Sequence, residues 1–157
     1  MRKAILVATL FVAAGCARQP LNTAPSSASG TRAAASGNLV GASTSRAAVD
    51  GFLAAVKQAD LQGMSALWGN EKGLARDKFK RDELEKRLVV MQCLLQHDRW
   101  SYVEDAPRLQ TAGRQAWGVS LTRKKATART TLTTVPGPNG RWFLMDADLT
   151  PLRDFCA

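Results

Sequence analysis

All thirteen acidic residues of this 157-residue chain lie after Ser45. No other feature limits the fold as much. Residues 17–45 carry no acid and no aromatic side chain, and are built almost entirely from Ala, Ser, Gly, Thr, Pro and Asn. Such a stretch buries too little apolar surface to offset the entropy of ordering it. The apolar residues Leu21, Leu39, Val40 and Ala42 are too sparse for a core element. Residues 46–157 are expected to hold the whole of one folded domain, with residues 16–45 as a spacer. As a coil the spacer spans on the order of 30 Å.

The segment before the spacer is of a third kind. Met1-Arg2-Lys3 is positive, Ala4 to Ala14 is uncharged and apolar, and small residues follow up to Cys16. A basic start, a short apolar run and small residues at the end describe a secretory signal peptide, expected over residues 1–15. The run is eleven residues long, whereas a membrane-spanning helix needs about 20. Ala13-Ala14-Gly15-Cys16 resembles the lipobox of bacterial lipoproteins, with Ala13 where that pattern usually has Leu. The resemblance implies that Cys16 is diacylated, palmitate-like chains included, and becomes the mature N-terminus. Two or more acyl chains make a lasting anchor, at about 0.8 kcal/mol per buried methylene. Ala17 follows the cysteine, where Asp would resemble an inner-membrane retention signal. The expected location is the cell envelope, with an outer membrane facing the periplasm favoured if the cell has one.

Within residues 46–157 the hydrophobic period changes once. Ser43-Thr44-Ser45 offers capping hydroxyls, and Val49, Phe52, Leu53 and Val56 recur with helical spacing. Asp60 reads as the cap of a short second helix with Leu61, Met64, Leu67 and Trp68, stopped by Gly69-Asn70. Residues 70–80 are polar and read as a loop. Asp82 with Glu85 reads as the capping box of a third helix. Leu84, Leu88, Met91 and Leu95 form its stripe. Val89, Val90, Cys93 and Leu94 widen that stripe, so the helix is expected to be covered on two sides, by the sheet and the first helix. Beyond His97-Asp98 the period becomes two. Strands are expected from Trp100, over 115–122, over 127–135 and over 141–149, with Asn139-Gly140 in the last turn. The fold class is therefore α+β: three N-terminal helices on one face of a curved antiparallel sheet of about four strands.

Two stretches carry a likeness. Phe52-Leu53, Ala59-Asp60, Met64 and Leu67 resemble the opening helices of the nuclear transport factor 2-like superfamily, and Arg141-Trp142-Phe143-Leu144-Met145-Asp146 is similar to its closing strand. The likeness covers about the last two-thirds of the chain and implies a cone-shaped fold. That fold has many functions, so it assigns none.

Candidate chemistry is sparse. With Cys16 acylated, Cys93 and Cys156 remain as an even pair in an oxidising compartment, and a disulfide between them is expected. A catalytic Cys93 is disfavoured by its apolar flanks, Leu94 and Leu95. His97 is the only histidine. It stands four after Cys93, a spacing open to metal or a nucleophile–base pair, but fits better as a charged histidine at a helix C-terminus. Asp146 and Asp148 alternate on the last strand with Trp142, so all three are expected on one face. If that face lined a cavity with Trp117, either carboxylate could act as a general base.

The basic runs are Lys78-Phe79-Lys80-Arg81 and Arg123-Lys124-Lys125, with Arg129 nearby. Eighteen of the 22 Lys and Arg follow Ser45, so the domain alone carries +5 of the chain's +9. Arg123, Lys124, Lys125 and Arg129 are the candidate patch for an anionic lipid, glycan or envelope protein. Nucleic acid is disfavoured by export and by the lack of a reader motif. No cofactor or metal site is expected. The reading is a non-catalytic, lipid-anchored binding domain. The alternative is a small-ligand carrier or an enzyme with a cavity under the sheet.

Overall fold

The structure is a computed structural model, and it describes residues 41–156. The signal peptide over residues 1–15, Cys16 and the spacer up to residue 40 lie outside the described residues. The fold begins before residue 46, however. Ala42 pairs with Trp142 in an antiparallel bridge and is buried, Thr44 caps the first helix, and Ser45 is its first residue. Residues 41–45 therefore belong to the domain and not to the spacer. Composition placed them with the spacer because backbone pairing leaves no hydrophobic signature.

Helix α1 spans Ser45–Lys57, and the Thr44 hydroxyl accepts from the Ala47 N–H at 3.1 Å. Helix α2 spans Leu61–Leu67, and the Asp60 carboxylate caps it at Gly63 N. The polar stretch after it contains more than loop. Strands β1 (Gly69–Asn70) and β2 (Gly73–Leu74) form a small antiparallel ribbon, followed by a 3-10 turn over Ala75–Asp77.

Helix α3 spans Arg81–Leu95 and has no side-chain cap. The expected capping box at Asp82 is not formed, because the Lys80 carbonyl already accepts from Leu84 N–H and starts the helix earlier. Asp82 and Glu83 sit instead in the first turn, where carboxylates favour the helix dipole. The broad apolar face is also only partly covered. Leu88 and Leu95 are buried, while Val89 and Val90 are 47% and 53% exposed. Leu88 and Leu95 of α3 join the core beneath the sheet, and the C-terminal turn, Thr150–Cys156, adds a further cover that the spacing did not indicate.

The main sheet is antiparallel and has five strands: β3 (Arg99–Tyr102), β4 (Arg108–Leu109), β5 (Gln115–Arg123), β6 (Ala126–Pro136) and β7 (Trp142–Ala147). Their order is β3-β5-β6-β7, and β4 shares the β5 edge with β3. The two-residue β4 left no alternation to read. On β5, Trp117, Val119 and Leu121 face the helices. Leu132 and Thr134 lie beside them on β6, and Leu144 on β7. Against this face pack Val49, Phe52, Leu53 and Val56 of α1, with Met64, Leu88 and Leu95. A smaller cluster of Leu74, Val135 and Phe143 lies on the other face. The Thr-rich β6 is thus not polar on one face alone, since Thr130 and Thr134 are buried on the helix side.

Cys93 and Cys156 lie at disulfide distance, with Cα atoms 5.2 Å apart. The bridge ties the C-terminal turn to α3, so Leu152 and Phe155 stay in the core. Reduction is expected to lower unfolding free energy by up to about 4 kcal/mol, the chain-entropy value for a loop of this length. Urea unfolding with and without dithiothreitol measures the difference.

Candidate functional site

The sequence-derived candidates divide between two ends of the sheet. At one end, Trp117 and Trp142 come together on the helix side. Trp117 comes from β5 and Trp142 from the start of β7, and both line an open groove of about 620 Å³. Pro107 and Leu109 form its outer wall, and Leu109 is 80% exposed. Thr44 and Arg46, at the start of α1, also line it.

Trp117 is held by a buried relay. Its indole Nε1–H donates to Ser45 Oγ at 2.7 Å, Ser45 Oγ lies 2.7 Å from Thr134 Oγ1, and Thr134 donates to the Gln115 carbonyl at 3.2 Å. Each hydroxyl in that direction gives one proton and takes one, so the relay is satisfied. Beside it, the Arg46 guanidinium carbon stands 4.4 Å over the Tyr102 ring and 5.8 Å from that of Trp117. The Tyr102 hydroxyl donates to Asp50 Oδ1 at 2.7 Å, and Trp100 meets Tyr102 edge-on at 4.9 Å. Burial first, then the bond to Asp50, push the Tyr102 pKa upward, so the hydroxyl keeps its proton. Sequence reading missed Arg46, Asp50 and Tyr102 as site residues. Arg46 and Asp50 show only helical spacing, and their aromatic partners come from strands over 50 residues away.

Asp146 and Asp148 do not join Trp142. A β-bulge pairs Thr134 with Leu144 but Thr133 with Asp146, leaving Met145 as the extra residue. The alternation inverts there, so Asp146 is exposed on the face away from the helices. Asp148 lies past the end of β7, exposed, and its carboxylate accepts from Thr150 N–H at 3.0 Å, starting the C-terminal turn. The expected shared face fails because one inserted residue reverses every later side chain. Neither carboxylate lines the groove.

The other end carries the basic patch. Lys124 and Lys125 are the two turn residues between β5 and β6, and both are exposed. Lys124 adopts φ 53°, and its N–H donates to Asp98 Oδ2 at 2.6 Å, which fixes the turn. Arg123 donates to the Cys93 carbonyl at 3.3 Å. Arg99 is paired with Thr122, and Arg129 is exposed three residues along β6 from Ala126. A cleft of about 420 Å³ beside the turn is completed by Asp154 and Phe155.

His97 is a buried residue past the end of its helix, not an exposed helix terminus. It lies beyond α3, is 1% exposed, and its Nδ1–H donates to the Leu95 carbonyl at 2.9 Å. Its Nε2 has no hydrogen-bond partner among the described residues. Burial lowers the imidazole pKa, assisted by Lys57 and opposed by the Leu95 bond and Asp98. Burial thus outweighs the macrodipole, which acts only when the ring is charged. Among the described residues, no three His, Cys, Asp or Glu side chains gather to hold a metal, and no helix is long and apolar enough to cross a membrane.

The unfolded chain therefore takes up a proton at His97 before the folded one does. Stability from this group is full above the unfolded pKa of about 6.5, and is lost as pH falls from there toward the lowered folded value. Urea midpoints between pH 7.5 and 5 should show that decline, and His97→Gln should flatten it. Ser45→Ala strands the Trp117 N–H and should cost about 1–3 kcal/mol in the same measurement. Comparison of the chain with protein-family models, with curated proteins and with solved structures found no match.

Proposed function

We propose that the chain is a non-catalytic lipoprotein of the cell envelope, anchored through Cys16, whose domain docks on an anionic envelope surface through its β5–β6 turn. The turn carries this reading. Arg123, Lys124 and Lys125 are consecutive, Arg99 and Arg129 stand on neighbouring strand positions, and the nearby Asp98 is engaged with the Lys124 backbone. The Lys124 backbone is fixed by its bond to Asp98, so docking need not first order the turn itself. Each such cation contributes about 1 kcal/mol near an anionic surface.

Export and anchoring rest on the leader, on the lipobox-like Ala13-Ala14-Gly15-Cys16, and on the pairing of the other two cysteines. Three helices packed on one face of an antiparallel sheet, with a bulge near its end, support assigning the domain to the nuclear transport factor 2-like cone.

Mass spectrometry of the membrane fraction should find Cys16 acylated at the mature N-terminus, and Cys16→Ser should release the protein from membranes. An unmodified Cys16, or a mature chain that lacks it, refutes the anchor. The double variant Lys124→Glu/Lys125→Glu should bind anionic phospholipid vesicles roughly thirty-fold less well, from two cations at about 1 kcal/mol each. Lys72→Glu/Lys80→Glu, of equal charge elsewhere on the domain, should bind almost as the parent does. Equal losses in both doubles would reduce the effect to net charge and refute the docking turn.

A further inference from the structure

We propose that the groove beside Arg46 captures the C-terminal carboxylate of a peptide whose last residue is apolar. This inference uses the end of the sheet opposite the basic turn and does not depend on the anchor.

The Arg46 guanidinium stands over two rings that are themselves held, Tyr102 by Asp50 and Trp117 by Ser45. A cation over a ring is held by the ring's charge distribution and not by its N–H donors, so the contact does not use up those donors. Among the described residues those donors make no hydrogen bond. A planar, pre-oriented fork of N–H groups matches a carboxylate through two parallel bonds. Among the described residues Arg46 is also the one charged residue lining the groove, so an occupant is selected for negative charge. Asp50, one turn along α1, has Oδ1 engaged by Tyr102 and does not line the groove.

The remaining walls select the body attached to that carboxylate. Leu109, Pro107 and Trp142 offer apolar surface, and an 80% exposed Leu109 gains from being covered. Gln115 and Thr44 also line the groove and can bond to backbone amides. An inorganic oxyanion would leave the apolar wall wet. A fatty acid would leave Gln115 and Thr44 unused, and the open groove would enclose little of its chain. A peptide end uses all three kinds of group.

The test passes two pools of random hexapeptides over the full-length protein immobilised in detergent micelles. One pool has free C-termini and the other is C-terminally amidated. Free-acid peptides ending in Leu, Ile, Val or Phe should be retained, and amidation should weaken retention at least tenfold. Arg46→Ala should give the same loss, Arg46→Lys a smaller one, and Trp142→Ala should weaken retention with circular dichroism unchanged. Lys124→Glu/Lys125→Glu should retain the peptides as the parent does. Four results overturn the proposal: equal retention of the amidated pool, retention unaffected by Arg46→Ala, loss in the Lys124/Lys125 variant, or no retention at all. Preferential retention of laurate would assign the groove to an acyl chain and overturn it as well.

Discussion

The hydroxyl of Ser45 joins the helical layer to the sheet. It sits at the first turn of α1, receives the Trp117 indole N–H from β5 and meets Thr134 on β6. All three groups are buried, so any one of them without its partner would carry a desolvation cost. The arrangement fixes how α1 enters the fold and which way the Trp117 ring faces. Apolar contacts among Phe52, Leu53, Val119 and Leu132 supply most of the burial, but they do not by themselves choose one register of helix on sheet. A directional relay through the same layer does.

Two ends of one strand then acquire different characters. β6 runs eleven residues from Ala126 to Pro136, which separates its ends by about 33 Å. Near Pro136 lie Trp142, Trp117 and the point where the chain enters through Gly41 and Ala42. Near Ala126 lie the lysine turn and the disulfide-tied C-terminus. At Gly41 the chain takes φ 71°, and a Cβ there would stand 2.8 Å from the Phe143 ring, so glycine is required at this position. The aromatic end and the cationic end thus offer separate surfaces, one suited to a small apolar anion and the other to an extended anionic layer.

Helix α3 shows how periodicity overstates burial. Its apolar residues suggest a helix enclosed on most sides, yet Val89 and Val90 remain in solvent. Elsewhere on α3 the Arg87 guanidinium packs on Phe79, which stacks on Trp68. A stripe of spacing records which residues share a helix face. It does not record whether a neighbouring element is wide enough to cover that face.

The sequence by itself determined the class of the fold, because helical and strand periods depend only on the order of polar and apolar residues along the chain. It located α1 with a capping hydroxyl among Ser43, Thr44 and Ser45, α2 with its cap at Asp60, the long strands β5 and β6, and the pairing of Cys93 with Cys156. Tertiary structure decided the rest. A single bulge turned Asp146 away from Trp142, burial lowered the His97 pKa, and backbone pairing drew Ala42 into the domain. It alone set Arg46 over Tyr102 and Trp117. The common reason is distance along the chain: these outcomes depend on which backbone lies opposite another, and no local pattern encodes that.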